Sequence, residues 1–162
     1  LPLKVTYAGT AWVSLGFSDA GDMVGSDCVI GLPTDESIAE YDLTSKRELP
    51  GVSPVPEITV ESVTQAAGET TISFTRPLAP TGAGKQLLSS TPGDTTVLIW
   101  GVGSDNDLGI HTGRGGLSVD LFCSTAAVTT LAPSPVASVQ PSTLVPEATV
   151  AATLAPSPAP SV

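Results

Sequence analysis

The feature that most constrains this chain is a break in composition at Cys123. All seven aromatic residues (Tyr7, Trp12, Phe17, Tyr41, Phe74, Trp100 and Phe122) and all 16 glycines precede it. The 39 residues after it hold seven prolines, one acid (Glu147), no base and no aromatic, in recurring phrases such as Leu131-Ala-Pro-Ser-Pro135. Such a segment lacks the apolar surface needed to offset the entropy of ordering it. The expected organisation is one folded domain over residues 1–123, followed by a disordered linker or stalk over 124–162.

Within the first 123 residues the patterning is that of short strands. Apolar and β-branched runs fall at about 3–8, 11–17, 28–32, 38–43, 57–65, 69–76, 95–102 and 117–122, punctuated by Asp19-Ala-Gly21, Ala67-Gly68 and Thr91-Pro-Gly-Asp94. Alternation is clearest at Thr70, Ile72 and Phe74, which share one parity while Thr71, Ser73 and Thr75 share the other, so one face is apolar and one hydroxylated. Val97-Leu-Ile-Trp100 is apolar at both parities, which predicts a central strand. Residues 37–41 have a weak helical alternative. About eight strands predict an all-β sandwich or barrel.

Charge and residue scarcity exclude several functions. A formal charge of -10, with six Lys and Arg and no basic stripe, is wrong for tracking nucleic-acid phosphates. No run approaches the length of a membrane-spanning helix, and no signal-peptide pattern is present. The single His111 has no motif linking it to a nucleophilic serine, and Gly113, Gly115 and Gly116 form neither a phosphate loop nor a dinucleotide fingerprint, so a glycine-rich turn is expected there. Asp19, Asp22 and Asp27, or Asp105-Asn-Asp107, admit a calcium reading, without the EF-hand register. Two widely spaced cysteines, Cys28 and Cys123, allow one disulfide or two buried thiols and give no zinc spacing.

The informative residues are the rarest. The one methionine, Met23, and the one histidine, His111, both lie in Gly/Asp-rich loop sequence at predicted strand ends. A thioether and an imidazole are a competent axial pair for a haem iron; composition alone leaves a packing Met and a surface or core His as the simpler alternative.

Five segments in order raise that pairing: Trp12-Val-Ser-Leu-Gly-Phe-Ser18, Met23-Val-Gly-Ser-Asp-Cys-Val-Ile-Gly31, Phe74-Thr-Arg-Pro-Leu78, Ile99-Trp-Gly-Val-Gly103 and His111-Thr-Gly-Arg-Gly115. Together they resemble the haem-binding members of the DOMON family over residues 3–123, such as the cytochrome domain of cellobiose dehydrogenase and the domains coupled to cytochrome b561. The resemblance implies an immunoglobulin-like antiparallel β-sandwich with non-covalent haem b at one end, and Met23 and His111 as its axial ligands. The absence of a Cys-x-x-Cys-His motif agrees with non-covalent binding. Expected wall residues are Trp12, Phe17, Val24, Ile30 and Trp100; Arg114 is expected to pair with a propionate, and Arg76 to be structural or at the rim. A Cys28–Cys123 disulfide would tether the Met23 segment to the last strand.

The function so implied is an extracellular or lumenal electron relay, cycling Fe(III)/Fe(II) without breaking a substrate bond. Its expected partners are a cytochrome b561-like membrane domain, with ascorbate as a possible electron source, or a flavoprotein. The chain begins almost on its first strand, so an upstream strand, together with signal and membrane segments, is expected outside it. The competing reading is a haem-free DOMON-like module binding carbohydrate or protein, which exposed aromatics would favour. A copper oxidase is a third, short of nitrogen ligands.

Overall fold

Alternating burial organises the chain as two facing sheets. The computed structural model describes residues 1–46 and 48–122, and the backbone of 150–154. The strands are β1 (Pro2–Tyr7), β2 (Val13–Ser18), β3 (Ser26–Leu32), β4 (Ser37–Leu43), β5 (Gly51–Val52), β6 (Thr59–Ala66), β7 (Glu69–Thr75), β8 (Thr96–Val102), β9 (Gly113–Val119) and β10 (Val150–Leu154). One sheet has the order β10-β1-β7-β6 and the other β5-β4-β3-β2-β8-β9. Neighbours are antiparallel except β10, which runs parallel to β1 with Leu3 opposite Val150 and Tyr7 opposite Leu154. The all-β sandwich is therefore the fold, and five residues of the expected linker lie along one edge of it. Cys123 and the remainder of that segment lie outside the described residues.

The interior takes one parity from each central strand: Leu3 and Val5 from β1, Val13, Leu15 and Phe17 from β2, Ile72 and Phe74 from β7, and Leu98 and Val102 from β8, each at most 2% exposed. The hydroxylated parity of β7 faces away, as its sequence implies. Ala67 and Gly68 carry positive φ angles of 53° and 80°, giving the tight two-residue hairpin that joins β6 to β7.

Residues 37–41 lie in strand β4, as the run at 38–43 implies, and every residue from Ser37 to Leu43 pairs with β3, which leaves no place for the weak helical alternative. Two expectations change. Residues 113–116 are strand rather than turn. Gly115 lies opposite Trp100, and a Cβ there would fall 2.7 Å from the indole, so the missing side chain is what lets the ring lie across β9. Cys28 is a free, buried thiol, so the expected tether is not formed at this residue. Its side chain packs among Trp12, Ile30, Tyr41 and Leu43, a second apolar cluster on the outward face of the larger sheet.

Between the sheets near β7 lies a cluster of buried charge. Arg76 is fully buried; its guanidinium donates to the carboxylates of Asp27 and Glu40 and to the Gln86 carbonyl at 2.7 Å, and stands 4.0 Å from the Phe17 ring centroid. Lys85 extends the network to Glu40 at 3.4 Å, Asp42 at 2.8 Å and the Ser53 hydroxyl at 2.7 Å. The remaining carboxylate oxygens accept backbone N–H groups, Gln86 on Asp27 at 2.9 Å and Glu57 on Glu40 at 2.8 Å. Arg76 is thus structural, and Asp27 is committed to it rather than to a calcium ion. No cluster of three or more metal-ligating His, Cys, Asp or Glu occurs among the described residues.

Candidate functional site

Because Val13, Leu15 and Phe17 face the interior, Ser14 and Gly16 face outward. Register carries that parity across the sheet to Cys28 and Ile30 on β3, Ile99 and Gly101 on β8, and Arg114 on β9. Apart from Arg114 these outward positions are small or apolar, and they border a cavity of about 1020 Å³, at the upper end of the roughly 300–1,000 Å³ typical of ligand pockets. Gly101 is one of the floor residues. A Cβ built there would lie 3.1 Å from the Ser14 hydroxyl, 3.6 Å from His111 Cβ and 3.8 Å from the Trp12 ring, so these three side chains already crowd the position.

Three loops wall the cavity. The β2–β3 turn brings Asp22 and Met23. It is fixed by the Ser18 and Ser26 hydroxyls, which donate to the Asp22 carbonyl at 2.9 and 2.5 Å, and by Ser26 N–H on the Met23 carbonyl at 3.2 Å. The β8–β9 loop brings Leu108 to His111. It is closed by Thr112, whose N–H donates to the Val102 carbonyl at 2.8 Å and whose hydroxyl donates to the Gly103 carbonyl at 2.8 Å. The β4–β5 loop contributes Lys46, Glu48, Leu49 and Pro50.

Of the residues expected at a haem site, Met23, His111, Arg114, Trp12, Ile30 and Trp100 all border this one cavity. Trp12 is buried, its ring stacked on Gly103, where a Cβ would fall 2.2 Å away. Two expected wall residues do not belong. Phe17 has the interior parity of β2, is wholly buried beneath Arg76, and borders a separate cavity of about 490 Å³ near Leu88 and Thr96. Val24 follows Met23 in the turn and is 43% exposed, since in so tight a turn only one of the two neighbours meets the sheet. The cavity also lies against the outer face of the six-stranded sheet rather than at an end of the sandwich.

Sequence reading missed Ser14, Gly16, Ile99, Gly101, Leu108 and the β4–β5 loop. The β2 parity did hold a signal: small Ser14 and Gly16 alternating with large Val13, Leu15 and Phe17 mark a strand face that something approaches closely. Nothing in Lys46 to Pro50 marked that loop.

The cavity suits an apolar, flat ligand with a few polar attachments. Its walls carry Trp12, Ile30, Leu43, Leu49, Ile99 and Leu108; its donors are one thioether and one imidazole, and its charges are Lys46, Arg114, Asp22 and Glu48. A thiol also borders it, but burial first, and then the negative charges of Asp27, Glu40 and Asp42, push the Cys28 pKa far up, so it offers no thiolate.

Comparison with known proteins gives two findings. The family model of the DOMON domain matches residues 2–103, a span that includes Met23 and ends before His111. The crystal structure of the cytochrome b domain of pyranose dehydrogenase from Coprinopsis cinerea is similar, with a TM-score of 0.55 and 16% sequence identity, covering 70% of this chain and 63% of that one. At that identity the likeness is one of fold, and the chain spans less than two thirds of that domain's length. No curated protein matches.

Proposed function

The chain belongs to the DOMON family, and from that premise we propose that it is an extracytoplasmic haem b domain relaying single electrons, with Met23 and His111 as axial ligands. The observation that carries this reading is the convergence of the only thioether and the only imidazole, from loops at opposite ends of the domain sequence, on one apolar cavity. The small floor residues Ser14, Gly16 and Gly101 support it, since larger side chains at these positions would take space beside the sheet that a flat macrocycle needs. So does the fold likeness to a cytochrome b domain.

Haem b, when bound, supplies a one-electron Fe(III)/Fe(II) couple, and a Met/His pair favours the reduced state more than a bis-His pair does. The protein's part is positional. The Ser18 and Ser26 bonds hold the Met23 turn, and Thr112 holds the His111 loop, so both ligands are set before binding. Trp12, Ile30, Ile99 and Leu108 line the same space with apolar surface. Held by both Met23 and His111, the group would supply outer-sphere electron transfer rather than oxygen activation.

A flavoprotein or a cytochrome b561-like membrane domain is the matching kind of partner, with ascorbate as one electron source, in an extracellular or lumenal setting. Among the described residues no helix is long and apolar enough to cross a membrane. The haem-free carbohydrate reading is the weaker one. Tyr7, Trp12, Phe17, Tyr41 and Phe74 are buried and Trp100 and Phe122 half-buried, which leaves no exposed aromatic platform.

The test is an absorption spectrum of the chain reconstituted with haem b. The expected wild-type spectrum is six-coordinate and low-spin, and Met23→Ala and His111→Ala each convert it to a different ligation state. Spectra identical in wild type and both variants would reject this ligand pair.

A further inference from the structure

Cations are scarce in this chain, and their placement is uneven. Of the six Lys and Arg residues, Arg76 and Lys85 are spent on the buried ion cluster. Lys46 and Arg114 border the cavity, brought there by the β4–β5 loop and by β9. Every ion pair among the described residues belongs to Arg76 or Lys85, so neither Lys46 nor Arg114 has a carboxylate partner. Asp22 and Glu48 border the same cavity without bridging to either cation. Among the described residues the mouth therefore carries two charges of each sign, with both of these cations unpaired, on a protein of formal net charge -10.

Two free cations on separate elements, at the edge of a cavity with apolar walls, form a recognition pair for a ligand whose body is apolar and whose margin is anionic. Arg114 offers a planar fork that matches a carboxylate bidentately, while Lys46 offers a mobile point charge on a flexible stem. We infer that Lys46 and Arg114 act together as a carboxylate clamp at the cavity mouth, Lys46 being a binding residue that neither sequence pattern nor family match indicates. This deepens the haem reading, on which it rests for the identity of the apolar body. The carboxylates themselves have two sources, the propionates of a bound macrocycle or a free small dicarboxylate.

Metal-free protoporphyrin IX separates the clamp from axial ligation, because it has both propionates and no iron. Its affinity for the full chain is read from quenching of Trp12 and Trp100 fluorescence, with protoporphyrin IX dimethyl ester as the uncharged control. Lys46→Gln and Arg114→Gln are each expected to weaken binding of the acid about tenfold, the loss of one charge-assisted hydrogen bond. Binding of the ester should be unchanged by either substitution, and only the acid should weaken as NaCl is raised. Urea unfolding of each variant checks that the exposed substitutions leave the fold intact.

Acid affinity unchanged in both variants, or acid and ester weakened equally, overturns the clamp. Failure of the wild type to bind protoporphyrin IX overturns the clamp, while the haem reading stands or falls on the spectrum of the haem-loaded chain. If porphyrin binding responds to Lys46 and Arg114 while haem spectra ignore Met23 and His111, the clamp stands and the axial assignment falls. Competition by millimolar succinate, lost in Lys46→Gln, identifies a free dicarboxylate as a ligand of the clamp; absence of competition assigns the clamp to the macrocycle's own propionates.

Discussion

Replacing Arg76 by Met tests the buried charge network that joins the two sheets. The guanidinium is wholly enclosed and neutralises Asp27 and Glu40, both 0% exposed. In Arg76→Met, Asp27 keeps only the Gln86 N–H and Glu40 keeps the Glu57 N–H and Lys85 at 3.4 Å, so Asp27 is left as a buried charge without a cation. Breaking a buried pair from one side costs about 3–5 kcal/mol. The contact with the Phe17 ring, at 4.0 Å, adds up to about 2 kcal/mol when desolvated, partly overlapping the first figure. A loss of about 4–5 kcal/mol is expected, against a total stability of about 5–15 kcal/mol for a domain. The assay is urea unfolding followed by tryptophan fluorescence, with the m-value compared between variants to confirm that the midpoint shift reports stability.

A companion variant, Arg76→Met with Asp27→Asn and Glu40→Gln, keeps an acceptor for each backbone N–H but removes the stranded charges. It is expected to recover to within about 2 kcal/mol of wild type, because removing a buried cation together with the carboxylates it pairs is far cheaper than removing it alone, and Lys85 keeps Asp42. A single substitution costing less than about 1 kcal/mol, or a triple variant as unstable as the single, would refute the assignment of Arg76 as the charge that the two carboxylates require.

The hydrogen bond from the Thr81 hydroxyl to Glu57, at 2.6 Å, with further bonds from the Thr81 and Gly82 N–H groups, holds the Glu57 carboxyl below its ordinary pKa. Its contribution is therefore present at neutral pH and lost as pH falls through that lowered value, so Glu57→Gln should flatten the acid limb of the urea midpoint measured against pH. An acid limb unchanged by the substitution would refute it. Burial, with Asp27, Glu40 and Asp42, raises the Cys28 pKa; in a Cys123→Ser variant, a disulfide reagent at pH 8 should leave the native thiol unlabelled and label it on unfolding. Because the thiol ionises more readily unfolded than folded, this group lowers stability as pH rises through about 8.5. Rapid labelling of the folded protein would contradict the buried placement.

The sequence alone determined the sheet content and the faces of most strands. Thr70, Ile72 and Phe74 alternate with hydroxyl residues in a pattern that admits only one buried face, and Val97 to Trp100, apolar at both parities, lies within the six-stranded sheet with core on one side and cavity on the other. Residue scarcity singled out Met23 and His111, because a chain with one thioether and one imidazole leaves few choices. Tertiary structure decided the rest. Phe17 has the residue type of a cavity wall, yet strand parity turns it inward beneath Arg76, while Gly16 and Ser14 beside it become the floor. Gly113 to Gly116 read as a turn until the Trp100 indole is placed across Gly115, and Lys46 joins the site only because β5 folds back on β4 and carries the intervening loop to the cavity. Local pattern fixes which side of a strand a residue occupies; which loops meet over that side depends on pairings between residues far apart in the chain, and no local pattern encodes those.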